Sequence, residues 1–328
     1  MRALALFSGG LDSMLAIKLI TSQNIDVTAL HINIGFGGKE DKSEILRKRA
    51  NMAGADFEIV DIRNSYLQDV LLNPQYGYGK HMNPCIDCHA YMFKTALNML
   101  KDRDANFIIT GEVLGQRPMS QRKTALDQVL NLSGDENALI LRPMCAKLLK
   151  PTTPEINGWV DRERLLDISG RSRTKQFELA NKFGFSEFET PGGGCLLTLQ
   201  SYSQKLRDAL KFEGIQTPLD SEILKFGRHL RLENGSKLII GKDEIDNQKL
   251  KNIKNPKFIA INLPHQTVGP YVLISKNAHI KDKEIAAKFM LTYAKTEPNQ
   301  IYDVIVDGVN FSVTAFENKD IAHKFFVG

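Results

Sequence analysis

Apolar positions fall into two alternating rhythms over residues 1–200. Residues 2–7 read Arg-Ala-Leu-Ala-Leu-Phe, a short apolar run of the kind a buried strand makes. Leu11, Leu15, Ile17, Leu19 and Ile20 then make a largely apolar helix through residue 21. Residues 26–33 give a second strand and residues 40–52 a charged helix. Residues 55–61 and 106–110 read as strands three and four, with helical stretches between them, including 90–99. Strands alternating with helices predict a parallel sheet covered on both faces.

From residue 228 the rhythm changes. Strands are expected at 229–232, 237–240, 257–262 and 268–275, with helices at 244–252 and 281–296. Residues 302–306 and 310–316 form a hairpin about Asp307-Gly308. Helices at 202–212 and 221–226 join the two patterns. The expected fold is α/β at residues 1–200, a helical linker at 201–227 and a smaller α+β domain at 228–328.

In a parallel sheet, ligands sit at the carboxyl ends of the strands. Those ends carry Ser8-Gly9-Gly10-Leu11-Asp12-Ser13, the stretch from His31 to Gly35, and the stretch from Thr110 to Gln116. Strand, glycine-rich turn and helix in that order gather unpaired N–H groups and the positive end of a helix dipole, which attracts phosphate. Ser8 and Ser13 add hydroxyls. Asp12 would repel phosphate unless it holds a metal or orients a reacting group, so it is read as a magnesium ligand. His31 lies in an apolar strand and is more readily a packed histidine than a catalytic one, while the backbone near it suits adenine. Neither G-x-x-x-x-G-K-[ST] nor G-x-G-x-x-G fits the turn.

The 328 residues are 42% hydrophobic and 25% charged, the mixture of an ordinary globular protein. With no run of eighteen apolar residues and no signal-peptide layout, a cytoplasmic protein with no membrane partner is expected. A net charge of +5 is too mild to demonstrate a nucleic-acid partner by itself. Four cysteines in such a chain point to metal, sulfur or redox chemistry. Cys85 and Cys88 form a C-x-x-C before a helix, whose positive end favours thiolate. A redox dithiol, a zinc site with His89 and a later cysteine, and an iron–sulfur cluster with a third thiolate all fit. Cys195, after three glycines, is the candidate third thiolate, and Cys145 reads as a core thiol.

The turn matches S-G-G-x-D-S at every fixed position and so resembles the PP-loop ATP pyrophosphatases. The resemblance implies an adenine nucleotide alpha hydrolase-like (PP-loop) domain. It also implies ATP on Ser8, Gly9, Gly10, Leu11, Asp12, Ser13, His31, Gly111 and Gln116, split to AMP as a substrate oxygen is adenylated. Residues 83–94 resemble the cysteine region of tRNA 2-thiouridylases, and Thr110-Gly111-Glu112-Val113-Leu114-Gly115-Gln116 resembles T-G-E-x-L-G-Q of tRNA 4-thiouridine synthetases. By position Cys88 and Cys195 would be persulfide carrier and resolving thiol. The extra Cys85 departs from that pattern and fits the branch with a 4Fe–4S cluster on Cys85, Cys88 and Cys195, zinc being the alternative.

Arg171, Arg173 and Lys175 precede a helix and form the best single segment for RNA. Residues 239–250, His265, Gly269-Pro270-Tyr271-Val272 and the helix with Ala286, Ala287, Tyr293, Ala294 and Lys295 resemble the RNA-binding R domain of the NFACT family. Residues 258–262 depart from that family's D-x-W-x-H. The expected function is ATP-dependent tRNA uridine thiolation, with sulfur from sulfide or a cysteine desulfurase and a homodimer left open. The rivals are a sulfurtransferase for a small metabolite and a non-catalytic RNA-binding module.

Overall fold

A computed structural model describes residues 1–189, 194–263 and 267–328. They divide into two compact units, Met1–Gly194 and Cys195–Gly328. Residues 190–193, which include two of the three glycines before Cys195, and His265 lie outside the described residues.

In the first unit, five strands line up in the order β3-β2-β1-β4-β5, and every neighbouring pair is parallel. They are β1 (Arg2–Leu6), β2 (Asp26–Asn33), β3 (Asp56–Asp61), β4 (Phe107–Thr110) and β5 (Ile140–Leu141). The helices are α1 (Leu11–Thr21), α2 (Ser43–Ala53), α3 (Arg63–Tyr66, continued by a π turn), α4 (Cys85–Met99), α5 (Lys123–Ser133), α6 (Thr153–Ile156) and α7 (Thr174–Phe183). Alternation along β1 shows why both faces are covered. Ala3 and Ala5 are small and buried in the cluster that contains the apolar side of α1, whereas Leu4 turns to the opposite cluster with Ala90 and Phe93 of α4 and Val129 of α5. The chain reverses its direction of growth between β1 and β4, so their carboxyl ends border the crevice where such sheets take ligands.

In this unit two differences from the sequence expectation have clear reasons. Helix α4 begins at Cys85, not near residue 90, because Cys88 N already donates to Pro84 O at 2.8 Å. Proline's fixed φ suits that first turn, and its missing N–H costs nothing there. Strand β5 is only two residues long and carries no periodic signature of its own.

The second unit has a four-stranded antiparallel sheet in the order β6-β7-β9-β8 and a hairpin, β10-β11. Its elements are α8 (Gln200–Phe212), α9 (Pro218–Glu222), β6 (Arg228–Arg231), β7 (Lys237–Ile240), α10 (Glu244–Asn252), β8 (Phe258–Ile261), β9 (Val272–Ser275), α11 (Ile280–Tyr293), β10 (Tyr302–Val306) and β11 (Val309–Val313). Asp307 and Gly308 both have positive φ, as a tight hairpin turn demands. Strand β9 starts at Val272 because Pro270 has no N–H to give a ladder. The helices expected as a linker are fastened to this sheet. Asp208 of α8 accepts from Arg231 at 2.6 Å and from the fully buried Lys237 at 2.5 Å, and Tyr202 Oη donates to Ser221 O at 2.8 Å.

Candidate active site

The stretch from Ser8 to Ser13 leaves the carboxyl end of β1 and enters α1. Its folding is local. Ser13 Oγ donates to Gly10 O at 2.7 Å, Gly10 N donates to Ser8 Oγ at 3.3 Å, and the two serine hydroxyls stand 3.5 Å apart. Gly9 has φ +76°, and Arg49 of α2 donates to its carbonyl at 3.2 Å. A Cβ on Gly9 would lie 2.3 Å from the tip of Leu46, which can swing away, but the backbone angle would remain unfavourable. Gly9→Ala is therefore expected to destabilise the first unit by about 1–2 kcal/mol, measured by urea denaturation.

Gly111 follows β4 and lies against the loop from the other side of the crevice. A Cβ there would be 2.5 Å from Ser13 N and 2.6 Å from Asp12 C. His31 on β2 is half-buried, and its Nδ1 lies 3.1 Å from the Phe7 carbonyl, which fixes the ring. Asp12 points into a polar cluster that no contiguous motif reveals. Its Oδ2 accepts from Gln116 Nε2 at 2.7 Å and from the guanidinium of Arg173. Gln176 Nε2 in turn donates to Gln116 Oε1 at 2.9 Å. Asp12 Oδ1 is buried and has no hydrogen-bond partner among the described residues, an acceptor of the kind a magnesium ion seeks. The loops bearing these residues are zipped together by Gly170 N donating to Leu114 O at 2.8 Å.

Of the three residues read from the sequence as RNA contacts, Arg173 is thus turned onto Asp12, whereas Arg171 and Lys175 are exposed. Glu189 pairs its backbone with Gly10 at the edge of the loop.

Cys85 and Cys88 occupy the first turn of α4, three residues apart and therefore on one side of it. Asn83 Nδ2 donates to Cys85 Sγ at 3.1 Å, and buried Asp87 accepts from Gln75 N at 2.6 Å. His89 next to them is held through Nδ1 by Glu112 Oε1 at 2.8 Å, and Glu112 Oε2 accepts from Arg142 Nε at 2.9 Å. Glu112 and Arg142 are each 4% exposed. Burial alone would raise the Glu112 carboxyl, but the Arg142 charge and the His89 contact outweigh it and hold the group below its ordinary value. Cys145 is fully buried, and burial pushes its thiol up, as suits a core thiol. Among the described residues, no three His, Cys, Asp or Glu side chains stand together as a metal site requires. The soft thiol pair on α4 supplies two donors of the right chemistry, while Cys195 opens the second unit.

The Thiamine biosynthesis protein (ThiI) family model matches residues 1–148, and the NFACT protein RNA binding domain model matches residues 227–325. A tRNA-specific 2-thiouridylase MnmA of Petrotoga mobilis is 23% identical over 95% of this chain and 80% of its own length. The corresponding protein of Nitratidesulfovibrio vulgaris is 29% identical over 48% of each chain. A probable tRNA sulfurtransferase of Thermococcus kodakarensis is 26% identical over 55% of this chain and 42% of its own. The chain thus spans most of one relative but less than half of the other two. The intact S-G-G-x-D-S turn sits at the switch point of a parallel sheet, and both matches fall on the expected parts of the chain. The protein accordingly resembles the PP-loop tRNA thiouridine synthetases in its first unit and the NFACT RNA-binding domain in its second.

Proposed function

We propose that the protein is an ATP-dependent tRNA sulfurtransferase that replaces a uracil carbonyl oxygen with sulfur. The observation that carries this reading is the Ser8–Ser13 turn, closed from the opposite strand end by Gly111 and centred on Asp12, one of whose oxygens has no partner among the described residues. ATP binds with its phosphates on the N–H groups of that turn, and Asp12 Oδ1 would hold magnesium. The uracil oxygen attacks the α-phosphorus, its new O–P bond forming as the bond to pyrophosphate breaks. Sulfur then adds to the ring carbon, and AMP leaves with the oxygen. Adenylation is needed because the bare carbonyl oxygen is a poor leaving group.

Cys85, Cys88 and Cys195 would hold a 4Fe–4S cluster, which, with one iron lacking a protein ligand, supplies a binding position for sulfide. Without a cluster, Cys88 and Cys195 would be persulfide carrier and resolving thiol, ending as a disulfide when the terminal sulfur departs. Sulfide serves as donor in the cluster route, and a cysteine desulfurase, which hands on sulfur already at the persulfide level, serves in the persulfide route.

Support for tRNA comes from the domain match at residues 227–325, the named relatives and exposed Arg117, Arg122, Arg171 and Lys175 in the first unit. Among the described residues no helix is long and apolar enough to cross a membrane.

The test is an anaerobic incubation of protein, ATP, sulfide and a tRNA transcript, followed by AMP assay and nucleoside mass spectrometry. AMP release that requires tRNA, with a thiouridine in the digest, is the expected result. AMP release indifferent to tRNA, with no thiolated nucleoside, rejects the proposal. A broad visible absorption band after addition of iron and sulfide distinguishes a cluster from zinc or persulfide.

A further inference from the structure

A carboxylate inside a phosphate-binding turn creates an electrostatic problem. Asp12 would repel a triphosphate laid on Ser8–Ser13, most strongly before any divalent ion has joined it. The pairing around Asp12 suggests how the chain meets this. Arg173 and Asp12 are each 13% exposed at the side chain, so their ion pair is sheltered from the screening that weakens surface pairs. Gln116 donates to the same carboxylate oxygen, and Gln176, fully buried, braces Gln116. Helix α7 begins at Thr174, immediately after Arg173, so a rigid element fixes where the guanidinium emerges. Oδ2 is therefore committed to Arg173 and Gln116, while Oδ1 remains buried and, among the described residues, without a partner.

We propose that Arg173 is a built-in counter-cation: a positioning residue that cancels the charge of Asp12 through Oδ2 and lets the loop accept the ATP phosphates before a divalent ion arrives on Oδ1. The two carboxylate oxygens then serve two cations, one covalently part of the chain and one from solution. This rests on the reading of the loop as an ATP site, and it assigns Arg173 to nucleotide binding.

The experiment measures binding of α,β-methylene-ATP to the full chain by calorimetry, in EDTA and in saturating magnesium. The wild-type protein is expected to bind in both media. Arg173→Met should lose about tenfold or more in EDTA, the scale of a sheltered charge-assisted contact, yet less than about threefold in magnesium. In the double variant Asp12→Asn/Arg173→Met, the repelling charge is gone, and metal-free affinity should return to within about threefold of wild type. Thermal melting of each variant confirms that folding is retained. Equal loss in both media, or no recovery in the double variant, overturns the assignment. Failure of the wild-type protein to bind in either medium instead overturns the ATP reading itself, and the assignment with it.

Discussion

Gly111→Ala is expected to cost the protein about a hundredfold or more in ATP affinity while lowering the melting temperature of the first unit. The reason is where the added methyl would go. Its three nearest atoms are Ser13 N at 2.5 Å, Asp12 C at 2.6 Å and Ser13 Cα at 2.7 Å, all of them backbone. Ordinary carbon contacts begin near 3.5 Å, so the end of β4 and the first turn of α1 must separate by about 1 Å. Neither can do so freely. The carboxyl end of β4 is held in register with β1, Leu6 opposite Thr110, and α1 is buried along most of its length. Overpacking of this kind costs about 1–3 kcal/mol, and the residual shift falls on Asp12 and Ser13 themselves. Calorimetric titration with ATP and a thermal melt check both halves. Gly10→Ala is the matched control for the melt, because among the described residues its Cβ would meet only Ser8 Oγ, at 3.4 Å. If Gly111→Ala melts and binds like wild type, the contact between the two strand ends is not the one described.

That contact also marks how far the sequence alone reaches. The Ser8–Ser13 turn is legible because all its members are contiguous and its hydrogen bonds close within five residues. The parallel sheet is legible because βα alternation is a local rhythm, and its central strands fall where periodicity puts them; in the second unit α10 does so too. Arg173 illustrates the opposite case. It meets Asp12 across 161 positions, and its neighbours Arg171 and Lys175 make it look like one more member of a basic surface run. Gln176 is similarly hidden, since a glutamine in the first turns of a polar helix gives no sign that it is fully buried. Pattern places residues on elements. Which elements bring their ends to the same point follows only from strand order.

The Glu112–Arg142–His89 cluster carries the other large effect. Its members come from the segment after β4, the segment after β5 and the first turns of α4, so it fastens the thiol-bearing helix to the sheet at the carboxyl edge. Removing one charge from a buried pair leaves the other unbalanced, which costs far more than a surface pair is worth. Arg142 is especially vulnerable to that loss, because its Nη2 is already buried without a partner among the described residues. Glu112→Gln should therefore destabilise the first unit by about 3–5 kcal/mol. A shift on the order of 10 °C in melting temperature follows for a domain of this size.

The pH dependence identifies the charge as the source. The Glu112 carboxyl is held below its ordinary value of 4.5 in the folded protein, so it binds protons more readily when unfolded. Its contribution is complete above that value and is lost as pH falls through the lower, folded one. The melting-temperature gap between wild type and Glu112→Gln should therefore be widest near neutrality, begin to close near pH 4.5, and continue closing below it. A gap that stays constant from neutral pH to well below the carboxylate range would mean that the substitution acts through packing or hydrogen bonding, and that the buried charge is not what binds α4 to the strand ends.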